Sequence, residues 1–256
     1  PLKNEPNMNT PTSLKRRDVL RGSLYAGAAL AMPTWSRAAG ANGDIRVAVI
    51  GFNGRGGGHI SSLQKIPGVR LVALCDVDGN VLTKGVEAQA KKNNTVTAYT
   101  DYRKLMLDPE VDAVTIATPN HTHTLIAMAA IAAGKHVYVE KPVCHNIWEG
   151  RQLVNAAEKV AAKGLIVQHG MQRRSDIGWA SAMQWVKEGH IGKTKLSHAL
   201  VHGLRLSIGK VDGPQQPPAT VDYKLWSAPR PELPIMRKQF HYDWHWQWPY
   251  GGGDIG

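Results

Sequence analysis

An α/β fold with a parallel sheet follows from three features of the sequence. Short apolar runs rich in β-branched residues recur at 45–50, 69–75, 111–118 and 137–139, without the alternation of a half-solvated sheet. Helical patterns separate them, as in strand–helix–strand units. The first run enters a loop dense in glycine, Gly51-Phe52-Asn53-Gly54-Arg55-Gly56-Gly57-Gly58, and another helical pattern follows it. That places the loop at the carboxyl end of a strand, where open α/β sheets bind ligands.

Composition narrows the function classes. The 256 residues are 43% hydrophobic and 20% charged, as in soluble globular proteins, and suffice for one large domain or two ordinary ones. The net charge of +11 falls to +7 once residues 1–41, with six basic and two acidic side chains, are set aside. The remaining basic residues are scattered, without a run or a basic-aromatic repeat, which argues against a nucleic-acid partner. Cys75 and Cys144 fit neither a disulfide framework nor a zinc motif and are expected as free thiols near strand ends.

Near the N-terminus, Lys15-Arg16-Arg17-Asp18-Val19-Leu20-Arg21 precedes an apolar stretch at 22–32 that is too short to span a bilayer. Ala39-Gly40-Ala41 offers a cleavage site. The arrangement resembles a twin-arginine signal, although Lys15 stands where that motif usually has Ser or Thr. Residues 1–41 are therefore expected to direct the chain to the twin-arginine export machinery and the periplasm.

A nucleotide-binding domain is expected over 42–170. Its first strand is Ile45 to Ile50, and Ile60, Leu63 and Ile66 give one face to the helix behind the loop. Against the dinucleotide pattern G-x-G-x-x-G the loop reads Gly51, Asn53 and Gly56. Asparagine tolerates left-handed backbone at the middle position, and Gly54 and Arg55 complete the loop. Its purpose would be close approach of backbone amides to a pyrophosphate. The second strand ends in Asp76, 20 residues beyond Gly56, where a carboxylate would accept hydrogen bonds from the adenosine ribose. The same charge would repel a 2′-phosphate, so NAD is expected over NADP. Segments 81–93 and 100–106 read as helices, and the strand over 111–118 leads into Thr118-Pro119-Asn120-His121-Thr122-His123. An alanine-rich helix follows over 125–133. His121 and His123 read as polar loop residues facing a cofactor, since no third metal ligand lies nearby in sequence, and no metal is expected. The stretch His136 to Pro142, HVYVEKP, reads as a buried strand that carries Glu140 and Lys141 to its carboxyl end on opposite sides. Pro142 then ends the ladder. A helix over 147–162 and a strand over 165–170 complete the domain.

Taken in order and at these separations, Gly51 to Gly56, Cys75-Asp76, Thr118 to His123 and Glu140-Lys141-Pro142 resemble the Gfo/Idh/MocA oxidoreductase family. The resemblance covers most of the chain after residue 41. It implies a Rossmann domain holding NAD, then, over 171–256, the N-terminal part of an α/β substrate and oligomerisation domain whose open, mostly antiparallel sheet is incomplete. It further implies that Lys141 is the catalytic lysine, with Glu140, Asn120 and His123 lining the nicotinamide and its ribose and Thr118 and Pro119 beside them in the cofactor set. Hydride would leave a carbinol carbon while Lys141 took the hydroxyl proton; burial and the positive oxidised nicotinamide would favour the neutral amine this requires. Alternatively a charged lysine would polarise the oxygen.

Within Met171-Gln172-Arg173-Arg174 the family places residues facing substrate, and Arg173 is the candidate because it comes sooner after the strand. A helix over 176–188 and a strand over 195–202 are expected next. Tyr223 and Trp226, like the aromatic cluster His241 to Trp248, offer either flat faces on which sugars stack or core packing of a second domain. Family members continue with a helix carrying a histidine and with further strands. The chain is therefore expected to be a piece of a longer protein that assembles as a homo-oligomer. The expected function is NAD(P)-dependent oxidation or reduction at a CH–OH group of a small carbohydrate or polyol. The alternatives are a redox-neutral NAD-dependent glycosidase, which oxidises, eliminates and re-reduces, and a non-catalytic nucleotide-binding fragment.

Overall fold

The computed structural model describes residues 43–200, 203 and 206–253, so the expected export signal at 1–41 lies outside the described residues. Six strands, β1 (Ile45–Ile50), β2 (Val69–Cys75), β3 (Thr97–Tyr99), β4 (Ala113–Ile116), β5 (His136–Glu140) and β6 (Val167–Gly170), form one sheet. Every neighbouring pair is parallel, in the order β3-β2-β1-β4-β5-β6. Helices α1 (Arg55–Leu63), α2 (Gly79–Ala90), α3 (Tyr102–Met106), α4 (Asn120–Ala132) and α5 (Ile147–Ala161) make the crossovers. The strand order reverses between β1 and β4, which opens a crevice at their carboxyl ends.

The apolar runs form strands because both faces of the sheet are covered. Val47 to Ile50 are all buried, and Val49, Leu71 and Leu74 pack with Ile60 of α1 and Leu82 of α2 in one cluster. Each such side chain contributes about 1.5–3 kcal/mol through burial. Side-chain oxygens of Asp78, Asp101 and Asn146 cap α2, α3 and α5, accepting from the backbone N–H groups of Asn80, Arg103 and Glu149. Cys75, the last residue of β2, and Cys144, beyond β5, are both free.

Two expectations are corrected, the start of the helix after Pro119 and the strand over 195–202. Helix α4 begins at Asn120 rather than near 125, because Pro119 at its cap lacks only an amide that would go unpaired there. His121 and His123 are consequently buried helix residues and not loop residues. β3 has only three residues and no apolar alternation to announce it. Of the incomplete, mostly antiparallel sheet expected from 171 onward, no strand is present among the described residues. Among the described residues the only sheet is the parallel one, and this region adds two isolated bridges, Asp78 with Val221 and Gln215 with Ile235. Residues 195–200 alternate in polarity, yet no neighbouring strand supplies partners for their backbone, and they are irregular and exposed. Beyond β6 come a 3-10 turn (Gln172–Ser175), α6 (Ile177–Lys187), α7 (Tyr223–Ser227) and a second 3-10 turn (Asp243–Trp246). Val221, Trp226 and Tyr250 form a second apolar cluster, joined by Val77 of the nucleotide domain.

Arg46 of β1 is 8% exposed and its guanidinium donates to Asp112, just before β4, at 2.8 and 2.9 Å, and also to Glu110. The pair fixes β1 against β4 at the end opposite the crevice. Replacing Arg46 by Met removes the countercharge of Asp112 and is expected to cost about 3 kcal/mol in urea denaturation. A loss below about 1 kcal/mol would mean that the pair behaves like one on the surface.

Candidate functional site

A cavity of about 770 Å³ opens at the carboxyl ends of the central strands. Gly51, Asn53, Gly54 and Arg55 form one wall. Gly51 has φ +75°, and a Cβ there would come within 2.7 Å of Thr118 Cγ2 and 2.9 Å of the Thr118 backbone. A Cβ on Gly56 would lie 2.0 Å from the Gly51 carbonyl oxygen, so only glycine lets α1 start this close to β1. Gly54 meets nothing within 4 Å, and no side chain caps α1. The helix thus presents its positive end beside the cavity with its first amides unclaimed by side chains.

Asp76 follows β2 and lines the same cavity. Its carboxylate accepts from the backbone N–H groups of Phe52 at 3.2 Å and Asp78 at 3.0 Å, which ties it to the glycine loop. Burial pushes the Asp76 carboxyl above its ordinary range, and those two amides offset part of the rise. A cradle that a Cβ would fill, an uncapped helix end and a carboxylate after β2 together fit a dinucleotide.

At the end of β5 the alternation separates two charges. Glu140 turns inward, and its Oε1 accepts from Arg55 Nε at 2.9 Å and pairs with His59 Nε2 at 2.8 Å, both on α1. The Gln172 amide donates to both carboxylate oxygens, at 2.6 and 2.7 Å, and the backbone N–H of Lys141 lies 3.2 Å from Oε2. Burial alone would push this carboxyl up, but the hydrogen bonds from His59, Arg55 and Gln172 outweigh it and hold Glu140 at about 2. Glu140 touches the cavity with both oxygens already engaged. Lys141 also lines the cavity but is exposed, and its ammonium has no hydrogen-bond or ion-pair partner among the described residues. The burial expected to favour a neutral amine is therefore absent, because the strand ends at Glu140 and leaves the lysine at the mouth.

The β4 end supplies Thr118, Pro119, Asn120 and His123 to the cavity. His123 is fully enclosed, with Nδ1 2.7 Å from the Pro142 carbonyl and Nε2 2.8 Å from that of Thr118, so its ring bridges the loops after β4 and β5. Burial holds its pKa below the ordinary histidine value. His121 faces away, with Nε2 2.8 Å from the Trp226 carbonyl and its ring 4.9 Å from that of Tyr250; burial pushes it down to about 4.

Of the three substrate candidates, Tyr223 and Trp226 stack on each other and Arg173 stands apart. Arg173 points out, its side chain 78% exposed and 3.8 Å from Asp176, while its neighbour Gln172 turns in. Trp226 is 4% exposed, packed among Tyr223, Phe240 and Tyr250 with the Arg237 guanidinium 5.0 Å from its ring, and it also lines the cavity. Tyr223 donates to the Leu233 carbonyl at 2.6 Å and lies outside the lining. Of the two readings of Tyr223 and Trp226, the structure shows core packing. His59 and Gln172 escaped sequence reading, whereas His241, Tyr242, Trp244 and His245, within the aromatic cluster already noted, form the cavity's outer wall. Among the described residues no group of three or more His, Cys, Asp or Glu side chains could hold a metal ion.

This sheet order, the glycine loop at the switch point and the carboxylate after β2 define a dinucleotide-binding Rossmann domain. Residues 45–169 match the model of an oxidoreductase family with an NAD-binding Rossmann fold, Gfo/Idh/MocA. The chain is 29% identical over 224 residues to glycosyl hydrolase family 109 protein 2 of Shewanella sp. (strain ANA-3), covering 77% of this chain and 48% of that one. It is 33% identical over 162 residues to inositol 2-dehydrogenase 1 of Saccharopolyspora erythraea, covering 63% and 47%. Among solved structures, it matches myo-inositol 2-dehydrogenase from Lactobacillus plantarum with TM-score 0.53 and 32% identity, over 59% of this chain and 43% of that one. It matches scyllo-inositol dehydrogenase from Lactobacillus casei with bound NAD(H) and scyllo-inositol with TM-score 0.51 and 28% identity, over 58% and 42%. Residues 45–169 thus form a Rossmann domain similar to the NAD-binding domain of that oxidoreductase family. The chain spans less than half the length of each of these relatives.

Glu140 titrates in the folded protein at about 2 against an ordinary 4.5, so its stabilising contribution is present above about pH 4.5 and is lost as pH falls through about 2. In Glu140→Gln that contribution is missing at every pH. The stability gap between wild type and variant is expected to reach up to about 3 kcal/mol near pH 6 and to shrink steadily toward pH 2, measured by urea denaturation. A gap independent of pH would contradict an ionised Glu140.

Proposed function

We propose that the complete protein transfers hydride between NAD and a hydroxyl-bearing carbon of a small sugar or polyol, with Lys141 handling the hydroxyl proton. One observation carries this reading: an exposed lysine with no partner among the described residues shares a single cavity with the glycine loop and Asp76. NAD, when bound, supplies the hydride acceptor or donor. The chain's own residues bind, orient and move the proton. Amides at the start of α1 take the pyrophosphate, and Asp76 accepts from the ribose hydroxyls and disfavours a 2′-phosphate. The Glu140 network fixes the strand end from which Lys141 projects, so its ammonium polarises the substrate oxygen or, once neutral, accepts the proton.

A second reading keeps the same site. The relative named glycosyl hydrolase family 109 matches 77% of this chain, against 63% for the one named inositol 2-dehydrogenase, which supports a redox-neutral glycosidase that oxidises, eliminates and re-reduces. Assays on the complete protein separate them. Net NADH formation at 340 nm with inositols or sugars supports the dehydrogenase. Release of a chromophore from aryl glycosides without net NADH supports the glycosidase. The twin-arginine-like segment further supports export to the periplasm, testable by locating the protein in cell fractions with and without Arg16 and Arg17.

In either chemistry Lys141→Ala is expected to lower turnover by about 10²–10⁴ while NAD affinity changes by no more than a few-fold. Steady-state kinetics paired with cofactor titration checks this. Wild-type turnover in the variant would remove Lys141 from the mechanism.

A further inference from the structure

His241 lies far beyond the Rossmann domain in sequence, yet it lines the dinucleotide cavity. Its Nε2 sits 2.8 Å from Asp78 Oδ2, in the turn that carries Asp76. The other Asp78 oxygen accepts from the Asn80 N–H at 2.9 Å and from the Thr220 hydroxyl at 2.7 Å. Thr220 in turn accepts from the Gly79 N–H at 2.9 Å, and Val221 bridges Asp78. The segment before α7 and His241 after it therefore both grip the turn between β2 and α2. With its side chain 34% exposed, His241 also borders an adjoining cavity of about 420 Å³ formed with Phe52, Asn53 and Lys84. Behind it the turn Asp243–Trp246 is packed tightly, since a Cβ on Gly251 would lie 2.6 Å from His245 Cα.

A carboxylate only accepts hydrogen bonds, so Nε2 carries a proton and donates to Asp78. Nδ1, on the other edge of the ring, has no hydrogen-bond partner among the described residues, and the residue lines the same cavity as Asp76. Such an edge is free to meet a polar group of adenosine. We propose that His241, clasped to Asp78, is a cofactor-binding residue that closes the adenosine end of the cavity, so that NAD leaves only when the clasp opens and is retained over successive turnovers. This rests on the NAD-binding reading above. A retained cofactor serves a redox-neutral cycle directly, because such a cycle returns NAD to its starting state.

The test measures NAD release from the loaded full chain by stopped-flow tryptophan fluorescence, together with Kd by calorimetry. His241→Ala is expected to release NAD about tenfold faster, with Kd weakened by a similar factor. His241→Gln keeps a donor for Asp78 and is expected to recover part of both; it also carries the test where the alanine variant fails to fold. Release and Kd within about twofold of wild type in a folded variant would overturn the clasp. Failure of the wild-type chain to bind NAD would instead overturn the cofactor reading itself.

Discussion

The Glu140 carboxylate is 4% exposed, and it stays ionised there because Arg55, His59 and Gln172 all donate to it. Removing a carboxylate from water costs several kcal/mol unless its oxygens are satisfied, so the three donors and Glu140 stabilise one another only as a set. They also come from three parts of the site: α1, which starts at the glycine loop; β5, which ends beside Lys141; and the chain leaving β6. A shift in any one of these elements would break hydrogen bonds to the other two. The distance between the cofactor loop and the lysine is therefore set by a buried charge rather than by apolar packing alone, which tolerates small displacements better.

The region after β6 is fastened over the crevice by polar contacts at three points. Asp78, after β2, holds Thr220 and His241. His121, in the first turn of α4, meets the carbonyl of Trp226. At the start of α5, Glu149 and His145 lie 2.8 and 3.0 Å from one Arg230 nitrogen, and His145 also lies 3.0 Å from the Trp248 carbonyl. Between these points the aromatic cluster packs around Arg237, which is 1% exposed and has its guanidinium 4.8 Å from the Phe240 ring. A cation enclosed by ring faces in this way needs the rings in place, which is why Trp226 packs inside and offers no open stacking surface.

Most of the Rossmann domain was legible because each part rests on local chemistry. Apolar runs marked β1, β2, β4 and β5, and steric demand at Gly51 and Gly56 marked the loop. The position of Asp76 after β2 follows from the same unit. What the sequence concealed depends on contacts between distant residues. Gln172 matters through a carboxylate 32 positions away and His241 through one 163 positions away, and no local pattern records either. Its place soon after the strand favours Arg173, but the 3-10 turn presents alternate sides and puts the uncharged Gln172 inward. The strand expected over 195–202 is not seen at 195–200 for a related reason, since alternation describes a strand only when a neighbour supplies its hydrogen bonds.

The most direct measurement is a crystal structure of the full chain grown with NAD. The account predicts the pyrophosphate over the amides of Gly54 and Arg55, the adenosine ribose on Asp76 beside His241, and the nicotinamide next to Lys141. Density for NAD elsewhere on the surface, or a dinucleotide lying in the cavity with its nicotinamide remote from Lys141, would contradict it.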